Sequence, residues 1–362
     1  MDIKQKIAEL EEELRTTKYN KATQHHIGLV KAKIARLKRE LALETSKKSK
    51  HTGFSVKKTG DATVVLVGFP SVGKSTLLNL LTNAKSDVGD YDFTTIDVVP
   101  GMLFHKGARI QLLDIPGLIE GASQGFGRGK EVLSIIKTSD LMLIVLDERT
   151  YSKLGVIQEE VYNAGIRLDT KPPDVSVAKR GFGGIDLGTT VKLTKISEET
   201  VKGIMREMGF ANASIVIRQD ISADELIDVL AGNRVYMPSI VVVNKVDKMD
   251  AALIARIKSE AKPDLFVSST KGTNIKQLKE LIFSRLRLMR VYLKQPRKKP
   301  DLKEPLIMHE GATIRDVCER LHKQILANFK YARVWGSSKF PGQKLGLSYL
   351  LRDRDIVELV VD

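Results

Sequence analysis

Cysteine is almost missing from this chain of 362 residues: Cys318 stands alone and can close no internal disulfide. With six histidines and no Cys/His cluster at zinc-binding spacing, a disulfide-stapled scaffold and a structural zinc fold are both excluded, and a reducing, cytoplasmic setting is expected. No apolar run approaches the ~18 residues that cross a bilayer, so no membrane contact is expected. The opening MDIKQKIAELEEEL is charged and helix-like where a signal peptide would be apolar. Acidic residues are in deficit, and the net charge is +15. The deficit is uneven: 15 basic residues face 7 acidic in 1–58, 27 face 28 in 59–284, and 17 face 9 in 285–362. A neutral centre between two basic ends points to ends that touch a polyanion, most plausibly nucleic acid, although a merely solvated basic surface has the same composition.

The chain does carry a phosphate-binding stretch. The apolar run 62–67 leads into Gly68, Phe69, Pro70, Ser71, Val72, Gly73, Lys74, Ser75 and Thr76, and a helical pattern follows at 77–81. Strand, glycine loop and helix is the setting of the P-loop, Gly-x-x-x-x-Gly-Lys-Ser. The curled backbone turns its N–H groups inward and the helix adds its positive end, so a polyphosphate is gripped. Lys74 is expected to reach the β- and γ-phosphates and Ser75 to ligate Mg²⁺.

Four further motifs follow in order, each at the end of an expected strand, where ligands gather on an open parallel sheet. The polar loop Asp90–Thr95 offers Thr95 to Mg²⁺ and the γ-phosphate. Asp114, Ile115, Pro116 and Gly117 close the run 109–113: Asp114 can hold Mg²⁺ through water, and the Gly117 N–H can meet the γ-phosphate and act as a switch. Leu118 stands where many GTPases have the glutamine that orients the attacking water, so slow intrinsic hydrolysis is expected. The glycine-rich 117–129 should be mobile until something binds it, and Arg128 within it is a lesser candidate for charge stabilisation. After the apolar run 239–243 come Asn244, Lys245 and Asp247, the pattern Asn-Lys-x-Asp, whose carboxylate accepts from guanine N1–H and the exocyclic amine together. Adenine offers no such pair, and an unpaired buried acceptor costs about 1–3 kcal/mol. Ser268, Ser269 and Thr270 follow 265–267 and are placed to touch the base edge.

The organisation expected is an α/β nucleotide-binding core with a mostly parallel sheet, in two segments, 59–165 and 239–289. In residues 1–45, Ile3, Ile7, Leu10 and Leu14, then Ile27, Val30, Ile34, Leu37 and Leu41, recur at seam spacing and predict an antiparallel helical hairpin. Its basic second helix, with Lys31, Lys33, Arg36, Lys38 and Arg39, suits either an RNA-contacting arm or a partner-docking coil, and a polar linker follows at 45–50. Residues 166–238 exceed what a minimal core needs and read as a small inserted α+β domain. Strands are expected in it at 190–193 and 214–217, and helices near 197–208 and 222–231. Residues 290–362, short strands around a helix from Thr313, suggest a β-grasp domain. There Lys330, Arg333, Trp335, Lys339 and Phe340 mix cations with rings that can stack bases, while Trp335 could equally be core.

These motifs together, GFPSVGKST at 68–76, DFTT at 92–95, DIPGLIEGA at 114–122, GNRVYMP at 232–238 and NKVD after it, resemble the developmentally regulated GTP-binding protein family, in the Obg-related branch of translation-factor-like GTPases. The resemblance spans nearly the whole chain. It implies that the insert is similar to the second domain of a small-subunit ribosomal protein and that the C-terminal part is a TGS domain, the module shared with threonyl-tRNA synthetases. It further implies GTP hydrolysis to GDP with Mg²⁺, association with ribosomes, rRNA or tRNA, and a small stabilising protein partner; no DNA specificity is evident. Related GTPases with an apolar residue at the position of Leu118 often use K⁺ held partly by a P-loop asparagine, where this chain has Ser71. The function expected is a GTP-hydrolysing switch on the ribosome or RNA, with Lys74, Thr95 and Gly117 in the catalytic roles. The alternatives are an RNA-binding scaffold with barely hydrolysed GTP, and an ATPase, which the intact Asn-Lys-x-Asp opposes.

Overall fold

A computed structural model describes residues 3–18, 20, 23–48, 59–82, 99–115 and 129–362. Helices α1 (Ile3–Thr16) and α2 (Gln24–Lys48) come first. Then follow β1 (Ala62–Val67), α3 (Lys74–Thr82), β2 (Val99–His105), β3 (Ala108–Asp114), α4 (Gly129–Thr138), β4 (Leu141–Leu146) and α5 (Leu154–Asn163). The inserted stretch holds β5 (Ile166–Leu168), β6 (Val175–Lys179), β7 (Ile185–Thr189), α6 (Glu198–Glu207), β8 (Ala213–Ile217), α7 (Ala223–Ala231) and β9 (Val235–Met237). The core resumes with β10 (Ser239–Val243), α8 (Ala251–Glu260), β11 (Leu265–Phe266) and α9 (Ile275–Arg285). The last part is β12 (Leu288–Leu293), β13 (Leu306–His309), α10 (Ile314–Leu321), α11 (Lys323–Ala327), β14 (Phe329–Trp335), β15 (Gln343–Leu345) and β16 (Asp355–Val361). Two compact units result, one built from the N-terminal helices and 165–236, the other from the described parts of 54–164 and 237–362.

In the second unit the described strands form a six-stranded sheet in the order β11-β10-β4-β1-β3-β2. Its strands run parallel except β2, which pairs antiparallel with β3. Strands β1 and β4 are buried along their whole length, as continuous apolar runs covered on both faces must be. Parallel strands all end at one edge, and the motif loops after β1, β3, β4, β10 and β11 therefore collect there. Strand β2, from Val99 to His105, forms a hairpin with β3.

In the first unit, Ile7 of α1 and Val30 and Ile34 of α2 are buried between the two helices, as the seam spacing requires. Helix α2 has a second apolar face that the seam count missed: Leu29, Ala32 and Ala35 pack into the core of the insert beside Val201, Ile204 and Ile215. Polar contacts follow the same line. His25 Nδ1 lies 3.0 Å from Thr200 Oγ1, Lys31 Nζ donates to Asp224 at 2.7 Å, and Arg36 reaches the Glu207 carbonyl at 3.4 Å. Two of the five cations offered for an RNA-contacting arm or a partner-docking coil, Lys31 and Arg36, are thus turned toward the insert. The helix also runs to Lys48, through part of the stretch read as a linker.

The insert is a three-stranded sheet, β6-β8-β7, with α6 and α7 sharing its core. The expected strand at 190–193 does not form. The pairing of β7 ends at Thr189 opposite Ile217, where β8 stops, and the next residues are drawn to Asp220, which accepts from the Thr194 N–H at 2.8 Å and its hydroxyl at 2.5 Å. Strands β6 and β7, more polar than β8 at the same length, were not foreseen. Both expected helices form, α7 closed by a capping box in which Ser222 and Glu225 satisfy each other's backbone.

A buried cation network braces the insert. Asp228 accepts from Arg167 at 2.6 and 2.8 Å and from Arg234 at 2.7 Å, and both Asp228 and Arg167 are buried. Removing one partner of such a pair leaves uncompensated charge away from water, at about 3–5 kcal/mol. Asp228→Ala should therefore lower stability against urea by about 3 kcal/mol or more, whereas a loss under about 1 kcal/mol would show that the carboxylate does not brace the fold.

Candidate functional site

The nucleotide site begins where β1 stops. Gly68 has no room for a side chain, since a Cβ there would lie 2.3 Å from the Val145 carbonyl oxygen. Gly73 adopts φ +94°, and its Cβ would fall 2.5 Å from Asn244 Nδ2. Only glycine fits either place, so both glycines of the motif are required by packing. Between them Ser71 takes φ 62°, unusual for a residue with a side chain, and completes the curl that feeds α3.

Lys74 and Ser75 start α3. Lys74 Nζ donates to the carbonyls of Gly68 and Phe69 at 3.1 Å each, spanning the loop it is expected to serve. Burial pushes its ammonium below the ordinary lysine value, and the charge of Asp114 opposes that shift. A half-buried cation at a helix N-terminus is well placed to meet phosphate charge. Ser75 Oγ donates to Asp114 Oδ2 at 2.6 Å, so two hard oxygen groups from separate motifs converge beside the start of α3. That donor set fits Mg²⁺, which takes oxygen ligands and keeps several waters. The Ile115 side chain is buried, while Thr95, Pro116, Gly117, Leu118 and Arg128 lie outside the described residues.

At the base end the loops after β10 and β11 interlock. Asn244 is fully buried; its Nδ2 donates to the Val72 carbonyl and to Ser269 Oγ at 2.9 Å each, and its Oδ1 accepts from the Ser269 N–H at 3.0 Å. One amide thus ties the phosphate loop to the base-reading loop. Asp247 accepts from Ser268 Oγ, and this bond holds its carboxyl below the ordinary range. Ser268 Oγ also lies 3.1 Å from Thr270 Oγ1 and accepts from the Lys271 N–H at 3.1 Å. An ionised carboxylate held in one orientation is what a guanine edge with two N–H donors demands. Of the remaining loop residues, Val72 is buried, Pro70 and Thr76 are exposed, and Phe69 lies beneath Lys153, whose Nζ is 5.4 Å from the ring centre.

Comparison with known proteins agrees with this geometry. Residues 63–179 match the family model described as a 50S ribosome-binding GTPase, 182–288 match the C-terminal region of that domain, and 289–361 match the TGS domain. The chain is 53% identical to an uncharacterized GTP-binding protein of Methanocaldococcus jannaschii, covering 100% of this chain and 93% of that one. It is 44% identical to the developmentally-regulated GTP-binding protein 2 homolog of Dictyostelium discoideum and 41% identical to developmentally-regulated GTP-binding protein 2 of Homo sapiens, in each case over 99% of this chain and 100% of the relative. The chain belongs to the developmentally regulated GTP-binding protein family. It is a GTP-binding protein of the P-loop GTPase superfamily, in which GTP hydrolysis and Mg²⁺ dependence are general. Its C-terminal part is a TGS domain.

A residue that motif reading passed over joins this arrangement. Asp147, directly after β4 and buried, accepts from Lys245 Nζ at 2.7 Å, and the same ammonium donates to the Ser71 carbonyl at 2.7 Å. Burial alone would raise the Asp147 carboxyl; hydrogen bonds from Lys245, Thr150 and the Arg149 N–H outweigh it and hold the group below its ordinary value. Lys245, in the left-handed conformation at φ 64°, is thereby locked across the phosphate loop. A carboxylate directly after a fully apolar strand, at the edge where the other motifs end, was the available signal.

Two substitutions separate these roles. Asp147→Asn removes the charge that anchors Lys245 and should weaken GTP binding about tenfold in a fluorescent-nucleotide titration; unchanged affinity would show that Lys245 needs no anchor. Asp247→Asn should lower GTP affinity and raise that for xanthosine triphosphate, whose extra carbonyl complements an amide. Equal loss for both nucleotides would remove Asp247 from base reading.

Proposed function

We propose that this protein hydrolyses GTP to GDP and phosphate, slowly on its own, and works in the cytoplasm as a switch bound to the ribosome or to RNA. The observation that supports it most is the single buried amide joining a triphosphate grip to a guanine check, so one ligand is read at both ends. In this reading Lys74 meets the β- and γ-phosphate oxygens, and the loop N–H groups before it hold their charge. Ser75, Thr95 and, through water, Asp114 would hold Mg²⁺, which would neutralise phosphate charge. Thr95 and the Gly117 N–H contact the γ-phosphate, and loss of that phosphate releases both segments. Leu118 can neither donate nor accept a hydrogen bond, so the attacking water lacks its usual guide. K⁺, with Ser71 as one oxygen donor, or contact with the ribosome would supply what is missing.

The basic ends, 15 basic to 7 acidic residues in 1–58 and 17 to 9 in 285–362, support docking on rRNA or tRNA. The resemblance to the developmentally regulated GTP-binding protein family supports a small stabilising protein as a second partner. Leu118 also favours one rival, an RNA-binding scaffold in which GTP is structural. Single-turnover hydrolysis, measured alone, with K⁺ in place of Na⁺, and with ribosomes, decides between them. The switch predicts a slow basal rate raised tenfold or more by at least one addition; a rate that no addition moves favours the scaffold.

A further inference from the structure

The β2–β3 hairpin closes one side of the six-stranded sheet, and among the described residues no strand lies beyond β2. Its turn is Lys106 and Gly107, at φ 52° and 84°, the left-handed pair of a two-residue hairpin. The tip is fixed from outside: His105 and Lys106 both pair with Glu280 of α9, and a Cβ on Gly107 would lie 2.4 Å from Pro305 Cγ. The edge is therefore preformed, and a partner that pairs with it need not order it first.

Register decides which peptide groups of β2 are free. His105 and Ala108 flank the turn, so they exchange both hydrogen bonds, and the pairing alternates from there along the strand. Leu103, Gly101 and Val99 thus bond to β3, while the N–H and C=O groups of Phe104 and Met102 point away from it. Pro100 takes the next outward position, where its missing N–H costs no ladder bond. Among the described residues nothing meets the outward groups of Met102 and Phe104.

Side chains sort by the same alternation. Gly101 backs onto Thr82 of α3, Leu103 is fully buried, and the His105 ring meets Phe283 of α9 edge-on, so this face is core. Pro100, Met102 and Phe104 stand on the other face, and Phe104 is 64% exposed. Directly opposite it, Arg109 of β3 is exposed, and among the described residues its guanidinium meets no carboxylate. Natural sheets blunt an open edge with lysine, proline or a covering element, because unpaired strand groups recruit other chains. Here proline guards the start and the lysine is turned to Glu280, while a large aromatic ring stands open between them.

N–H and C=O groups at strand spacing are matched by another polypeptide backbone, not by a nucleic acid or a membrane surface. A second copy of this chain is disfavoured, since each copy carries a net charge of +15 and repels the other. The unpaired Arg109 calls instead for a partner of opposite sign.

We propose that β2 takes up an extended, acidic segment of a partner protein as an added strand, with an apolar side chain of that segment covering Phe104 and a carboxylate pairing with Arg109. The inference does not depend on the reading of the protein as a ribosome-bound switch.

Full-length protein is titrated with a fluorescein-labelled, capped peptide of alternating glutamate and valine, and with its lysine counterpart, reading anisotropy. Amide hydrogen exchange is followed residue by residue in the same mixtures. The acidic peptide should bind about tenfold tighter than the basic one. Its binding should slow exchange of the Met102 and Phe104 amides about tenfold and leave that of Leu103, already bonded to β3, unchanged. Phe104→Ala should weaken binding about tenfold, and Arg109→Gln should remove the preference for the acidic peptide. Unchanged GTP affinity in both variants shows that the fold is intact. Binding that leaves the Met102 and Phe104 amides unprotected, equal affinity for the two peptides, or no binding of either overturns the proposal. Slow exchange of these two amides in the free protein, together with a dimer in sedimentation that Phe104→Ala dissolves, assigns the edge to a second copy and overturns it as well.

Discussion

The nucleotide site depends on the side-chain amide of Asn244, which joins the loop after β1 to the loop after β11 from a position fully out of water. A buried amide with partners missing would cost about 1–3 kcal/mol, so the two loops are held in register by the need to satisfy it. Gly73 has no Cβ because that amide fills its place. Lys245, the next residue, repeats the device with a charge, spanning from the Ser71 carbonyl to Asp147. The loops after β1, β10 and β11 are therefore tied together, with Lys74, Ser75 and Asp114 at one end and Asp247 with Ser268 at the other.

The candidate site was legible in the sequence where its motifs are strict in chemistry and local in space. Gly68 to Thr76, Asp114, Asn244 to Asp247 and Ser268 to Thr270 each sit at a strand end, and an apolar run followed by a polar turn is visible without a structure. The contribution of Asp147 was hidden because a lone carboxylate has meaning only once Lys245, 98 residues away, folds against it. The second apolar face of α2 was hidden for a related reason: Leu29, Ala32 and Ala35 are small or single positions, and their partners lie about 170 residues on. At 190–193 an alternating pattern predicted a strand, and the end of the neighbouring strand overrode it. Tertiary context, not local propensity, decided each of these.

The second unit also places nucleotide and C-terminal sheet in one body. Leu288, at the start of β12, and Ile307 of β13 are buried in the core that holds β1, α3 and α9. Lys106 and His105 of the β2–β3 hairpin both meet Glu280 of α9, and Arg320 of α10 reaches Asp61 at 3.2 Å just before β1. The strand that opens in this core, β12, thus runs on into the C-terminal sheet.

Calorimetric titration of the purified, magnesium-supplemented protein with GTP and with ATP tests the central claim most directly. A carboxylate held by Ser268 and a loop locked by Asn244 predict GTP binding at least tenfold tighter than ATP, since adenine leaves Asp247 without its two donors. Equal affinity for the two nucleotides would contradict the account.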